Sequence, residues 1–347
     1  MLSTTRWIAA PMQETASWRG FLIGTAAVAL SFLGAPIVEA AQPSAKVYRI
    51  GWLGHGSAPS GPDRSVGEFQ LALRDVGYVE GRNLVIEYRF ANGNVERLPE
   101  LAAELVRLPV DVIVTSGEPA ALAAKRATKS IPIVATEFGL DPIKAGLVSS
   151  LGRPDANVTG MATLSEDLWQ KRLGLLREIA PKISRLAVLW NPGNPGNASC
   201  ADEIKAAAPT MGMQLRFLEV SDVKSLEQAF AGVTRDPPGA LVTCWDSVTL
   251  AYAKPIADLA LKLRLPSLAP LREYVQAGGL LSFGTSLSAH RRRAAYYVDK
   301  ILKGTKPADL PVERPTLFEL IVNLTTAKTL GLVLPAVLTV AADELIE

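Results

Sequence analysis

Two histidines, His55 and His290, and two cysteines, Cys200 and Cys244, are the whole stock of imidazole and thiol in the 347-residue chain. That is too few ligands for a histidine-based metal site, so no metal is expected. There is no Gly-x-Ser-x-Gly elbow and no Gly-x-x-x-x-Gly-Lys-Ser/Thr phosphate loop. The glycines of Gly51-Trp52-Leu53-Gly54-His55-Gly56 fall within and just after a strand, not at a strand–helix turn, so no dinucleotide cofactor is expected. One enzyme reading stays open. Paired thiols could act as acid and base in a two-lobed racemase, which needs one cysteine from each side of a cleft.

What remains is binding chemistry. In Val112–Ala124 (VIVTSGEPAALAA) a β-branched run stops at Thr-Ser-Gly and an alanine-rich helix pattern begins at once. Pro119 sits where a first helical residue is welcome, because its missing N–H would be unpaired there anyway. Such a corner presents backbone N–H groups at the positive end of a helix and suits a carboxylate. Similar small polar corners follow the other apolar runs: His55-Gly56-Ser57, Glu137-Phe138-Gly139, Asn191-Pro192-Gly193-Asn194, Trp245-Asp246-Ser247 and Gly284-Thr285. Together they suit one small polar molecule. The candidate ligand contacts are His55, Ser57, Ser116, Gly117, Glu118, Thr136, Phe138, Asn191, Asn194, Asp246 and Phe283. Ser116 and Gly117 would hold a carboxylate, while Asp246, with Glu118, would pair with an ammonium. Trp52, Phe138, Trp190 and Phe283 lie near strand ends and offer an aromatic wall, although Trp52, inside its strand, reads as core. Asn191 and Asn194 flank a Pro-Gly corner and have turn formation as the alternative role.

The elements that must position these residues alternate. Strands are expected at Val47–Leu53, Leu84–Phe90, Val110–Thr115 and Ile131–Thr136, with helices at Ser65–Val76, Val95–Leu108 and Pro119–Thr128. After Asn157–Met161 the rhythm restarts with a helix to Ala180. Strands follow at Arg185–Trp190, Gln214–Val220, Ala240–Cys244, Ser267-Leu268 and Leu280–Phe283. Helices between them are expected around Ala198–Ala208, from Asp222 with Ser221 as its cap, and over Val248–Leu263. Two halves of this kind predict two α/β lobes with parallel, doubly wound sheets, whose ligands bind at the carboxyl ends of the strands. Both cysteines fall in the second half, which weakens the racemase reading. His290-Arg291-Arg292-Arg293 reads as a solvated or partner-facing helix start.

The first 40 residues differ from the rest. Arg6 and Arg19 precede an apolar run from Phe21 to Leu33, and Val38-Glu39-Ala40 has the small residues of a cleavage site. A secretory leader cut after Ala40 or Ala41 is expected, with an N-terminal anchor as the alternative; the run is shorter than the ~20 residues that span a bilayer. Loss of residues 1–40 removes Arg6, Arg19, Glu14 and Glu39 and leaves 34 basic against 32 acidic residues. A near-neutral chain has no electrostatic footprint for nucleic acid. Cys200 and Cys244 are too few for a disulfide framework, and either one bridge or two buried free thiols would suit them.

Asp141-Pro142-Ile143-Lys144-Ala145-Gly146-Leu147-Val148-Ser149-Ser150-Leu151-Gly152-Arg153-Pro154-Asp155-Ala156-Asn157-Val158-Thr159-Gly160 resembles a signature of the ABC-transporter substrate-binding protein family related to tryptophan-binding lipoproteins. The pattern D-P-x-x-x-G-L-V-x-S-L-A-R-P-G-G-N-x-T-G is broken at Gly152 and at Asp155-Ala156. Tyr297–Gly304, Pro307–Glu313 and Phe318–Leu332 are similar to the same family. The resemblance implies a type I periplasmic binding protein: two Rossmann-like lobes, residues 46–160 plus 285–316 and 161–284 plus 317–347, joined by three crossovers. These would fall near Thr159–Met161, Phe283–Thr285 and Thr316–Leu320. It further implies a monomeric periplasmic receptor that closes on a small polar or amino-acid-like ligand and hands it to an ABC permease in the inner membrane, without nucleic acid, cofactor or catalysis. A sensor of the same fold feeding a signalling receptor is the alternative.

Overall fold

The computed structural model describes residues 46–56, 64–138, 141–154, 156–163 and 168–347. The expected leader and Ser57 lie outside them. The chain begins with β1 (Tyr48–Gly54), α1 (Arg64–Asp75), β2 (Leu84–Phe90), α2 (Leu98–Arg107), β3 (Val112–Ser116), α3 (Glu118–Ala127), β4 (Ile133–Phe138) and β5 (Val158–Ala162). The five strands form one parallel sheet in the order β2-β1-β3-β4-β5. Apolar runs such as Val112–Thr115 and Ile133–Phe138 are wholly buried because helices cover both faces.

The second half runs α4 (Leu168–Ile179), β6 (Arg185–Trp190), α5 (Pro195–Thr210), β7 (Gln214–Glu219), α6 (Val223–Arg235), β8 (Ala240–Thr243), α7 (Ser247–Ala251), α8 (Ala253–Lys262), β9 (Ser267–Ala269), α9 (Arg272–Gln276) and β10 (Leu281–Thr285). It continues with α10 (Leu287–Leu302), β11 (Phe318–Asn323), α11 (Leu324–Leu330), α12 (Ala336–Ala341) and β12 (Glu344–Ile346). The sheet order is β12-β11-β10-β9-β8-β6-β7, parallel except for the β10–β11 pair. Trp169, Leu173 and Ile204 pack on one face, Leu226, Ile256 and Ala260 on the other.

The chain passes between the sheets three times: after Ala162, between β10 and α10, and before β11. α10 returns to the first sheet, where Ala294, Tyr297 and Val298 pack against Ile50, Trp52 and Phe69. Gly160, whose φ is +146°, is needed in β5, since a Cβ there would stand 2.2 Å from the Ala135 carbonyl oxygen. The Asp141–Gly160 motif is a tether. Asp141 Oδ1 accepts from the N–H groups of Ile143 and Lys144. The Asn157 amide donates to the Ile131 carbonyl at 2.7 Å, and the Thr159 hydroxyl to the Leu310 carbonyl at 2.7 Å. The expected boundaries at 160/161 and 284/285 fall inside β5 and β10.

Three local expectations need correction. The cap of α6 is Asp222, not Ser221: its side chain accepts from the Ser225 N–H at 2.7 Å, with Ser225 bonding back in a capping box. The single helix expected over Val248–Leu263 breaks at Tyr252, because the Pro255 ring would clash with the carbonyl of Ala251. The His290–Arg293 run is not a solvated helix start. Ser286 caps α10, so His290 lies in its interior, on the face shared with Ala294 and Tyr297, and only Arg292 and Arg293 reach the surface.

Candidate functional site

At the end of β3 the pairing with β4 slips by one residue, so Ser116 stands opposite Glu137 instead of Thr136. The Ser116 hydroxyl donates to Glu137 Oε1 at 2.7 Å, Thr136 donates to the other carboxylate oxygen, and the Gly117 N–H donates as well. Burial pushes the Glu137 carboxyl up, while the Arg291 guanidinium and these hydrogen bonds pull it down. The Ser-Gly corner is therefore a carboxylate cradle, but its carboxylate is the protein's own. Gly117 has φ +90°, and a Cβ there would press to 3.2 Å from that of His55. His55 is buried, which lowers its pKa against the opposing pull of Asp246, so these residues of the two halves face each other.

Asp246 is also engaged. It caps α7 by accepting from the Val248 N–H at 2.8 Å, and it receives the Asn194 amide at 2.8 Å and the Asn191 amide at 3.2 Å. Asn191 and Asn194 in turn accept from the N–H groups of Gly193 and Gly196, so both form the turn as well. The hub is fully buried and fixes the loops after β6 and β8 to each other. The Asp246 carboxylate is shared among four donors of the protein itself, the Asn191 and Asn194 amides and the Val248 and Thr249 N–H groups. Phe138 lies in the core of the first sheet and Phe283 in that of the second, where Lys171 sits 4.3 Å from its ring centroid. Neither lines the cavity described next.

That cavity has about 690 Å³ of empty space, counting its open mouth. It lies between the strand ends of the two sheets. Glu118 at the start of α3 and Leu287 at the start of α10 come from the first side, and α4, α5 and the loops after β8 and β9 from the second. Of the expected contacts, Glu118 and Asn194 line it; His55, Ser116, Gly117, Thr136, Asn191 and Asp246 belong to the networks around it. Its aromatic and apolar wall is Trp169 and Trp245 with Leu168 and Leu271, and its further polar groups include Thr163, Arg172, Glu203 and Thr285.

Trp169, Arg172 and Glu203 escaped the sequence reading because they ride on helices, not on strand-end loops. The i,i+3 spacing of Trp169 with Arg172 and of Cys200 with Glu203 was the available signal, since each pair shares a helix face. Arg172 stacks on Trp169, its guanidinium carbon 4.8 Å from the ring centroid. Cys200 lines the cavity and is disulfide-bonded to Cys244, with 6.1 Å between their Cα atoms. The bond settles the open choice about the thiols and removes the acid–base pair that a racemase would need. Among the described residues no cluster of three or more His, Cys, Asp or Glu is placed to hold a metal, and no helix is long and apolar enough to cross a membrane.

Comparison with known proteins points the same way. A "Tyrosine-binding protein" of Clostridioides difficile is 27% identical over 271 residues, 78% of this chain and 77% of its own. Among solved structures, a conserved domain protein from Vibrio cholerae superposes with a TM-score of 0.80 at 27% identity, over 86% of this chain and all of the other. A Streptococcus pneumoniae ABC domain in complex with L-Trp shares the fold at a TM-score of 0.79 and 24% identity, over 87% of this chain and all of the other. With the family model for ABC transporter substrate-binding proteins matching residues 58–346, in two parallel-sheet lobes around a cavity, the chain belongs to that family and has the type I periplasmic binding protein fold.

Proposed function

We propose that this protein is the extracytoplasmic receptor of an ABC importer and binds a small amino-acid-like solute in the cavity between its sheets. It delivers the solute to a membrane permease as a monomer after losing its leader at Ala40 or Ala41, and it performs no catalysis. The observation that carries this reading is the cavity itself. It opens at the carboxyl ends of both sheets, where α/β folds bind ligands, and both sheets contribute lining groups. The tyrosine and L-Trp named for the two relatives make aromatic amino acids the first candidates. The lobes exchange chain at the three passages between the sheets, so that closure would bring Glu118 and Leu287 toward the α4 and α5 wall.

The test is thermal unfolding of residues 41–347 against amino acids, aromatic acids, purines and sugars. A ligand at 100 times its Kd stabilises the folded state by about 2.7 kcal/mol. A saturable shift with an amino acid supports the reading; a panel with shifts only from purines or sugars overturns its ligand class.

A further inference from the structure

Arg172 is the one described lining residue that brings a guanidinium to the cavity, and its side chain is only 7% exposed. Its Nε donates to the Phe283 carbonyl at 2.7 Å. Among the described residues, none accepts a hydrogen bond from Nη1 or Nη2 and none forms an ion pair with the guanidinium. Glu203 acts on it electrostatically without forming an ion pair. Gly284 leaves it room: a Cβ there would lie 3.3 Å from Nη2 and 1.9 Å from the Pro270 carbonyl oxygen. Trp245, in the same lining, holds a buried indole N–H that has no hydrogen-bond partner.

Unlike the Trp245 indole nitrogen, the Arg172 Nη1 and Nη2 atoms are not sealed off, so their hydrogens remain available to an acceptor in the cavity. The fork of a guanidinium matches the two oxygens of a carboxylate, and charge-assisted pairs of this kind are the strong ones. The one carboxylate-binding place expected from the sequence, the Ser116–Gly117 cradle, is filled by Glu137. Stacking on Trp169 and the bond to Phe283 hold the Arg172 plane in place, so little side-chain freedom is lost on binding.

We infer that Arg172 is the anion anchor of this cavity and that the ligand is a carboxylic acid whose oxygens take the Nη1 and Nη2 hydrogens, with its apolar body against Trp245. This rests on the reading of the cavity as the ligand site and adds which group of the ligand is recognised, and by which wall. Capture then begins on the second sheet, where Arg172, Trp245 and most of the lining reside, before the first side closes with Glu118 and Leu287.

The test compares acids with partners lacking the carboxylate by calorimetry on the mature chain: L-tryptophan with tryptamine, L-tyrosine with tyramine, and benzoate with benzyl alcohol. The acids should bind on the order of 10- to 100-fold more tightly than their partners. Arg172→Gln should erase that preference, and Arg172→Lys should restore part of it. A merely structural role at the Phe283 carbonyl would lower stability and leave the acid preference intact, which overturns the inference. Should Arg172→Gln fail to fold, the wild-type pairs decide: partners that bind as well as the acids overturn it. Benzoate binding that depends on Arg172, with no amino acid bound, leaves the anchor standing and removes the amino-acid reading. No binding by any acid overturns the anchor.

Discussion

Removing the Cys200–Cys244 bond should cost the fold several kcal/mol and disturb the cavity together. The two cysteines stand 44 residues apart in sequence. Releasing a loop of that length returns about 13 cal/mol/K of chain entropy to the unfolded state, or about 4 kcal/mol at 25 °C. At roughly 2 °C per kcal/mol for a large chain, Tm should fall by about 8 °C as a ceiling. The bond also ties α5, which carries Cys200 and Glu203 and is capped by Asn194, to the end of β8 beside Trp245, so its loss should weaken ligand affinity as well. The assay is calorimetric unfolding of wild type and of Cys200→Ala/Cys244→Ala, each with and without reductant. Reductant should lower Tm only in the wild type, since the variant has no bond to lose. A variant within about 1 °C of wild type, or titration of two free thiols in the native protein, would refute the argument.

Ser116→Ala should leave ligand affinity within about threefold, because the hydroxyl serves Glu137 and not the cavity. Its cost should appear in urea unfolding instead, at about 1–3 kcal/mol for a buried polar group that loses its partner; a loss of affinity without loss of stability would return the cradle to the ligand. His290 is held down to about 4 by burial in α10, with Arg291 adding to the effect and Glu313 opposing it. Its neutral form therefore contributes stability that is fully present above pH 6.5 and lost as pH falls toward 4, about 3 kcal/mol over that window. His290→Gln should flatten this part of the profile, and an unchanged slope between pH 6.5 and 4 would contradict the assignment.

The elements were legible in the sequence to within a few residues, because their signals are local. Arg185–Trp190 is a β-branched and apolar run whose strand matches the expectation at both ends, and Glu118–Ala127 begins at the Gly117 corner as its proline implies. The family resemblance was legible for a related reason. The Asp141–Gly160 motif is a tether of turns, caps and one obligatory glycine, so its residues are dictated by the fold and not by the ligand. What a single chain does not display is which acceptor meets which donor. Glu137 lies 21 residues from Ser116 and reaches it through a slip in strand pairing that no local pattern announces.

The same limit explains why the candidate site moved. Strand-end loops carry the polar corners, and a protein that must hold two sheets in register across a hinge has its own use for such corners. Asp246, Asn191 and Asn194 spend their hydrogen bonds on one another, and Ser116 with Gly117 on Glu137, because each would otherwise be buried without partners. Satisfied groups of this kind fix where the walls stand. Much of the cavity wall instead comes from helices α4 and α5, whose sequence spacing shows a shared face but not what that face overlooks. Arg172 is the clearest instance. Its position in the chain looks like one more charged residue in an amphipathic helix, and only its burial, its idle donors and the cavity beside them distinguish it from a solvated arginine.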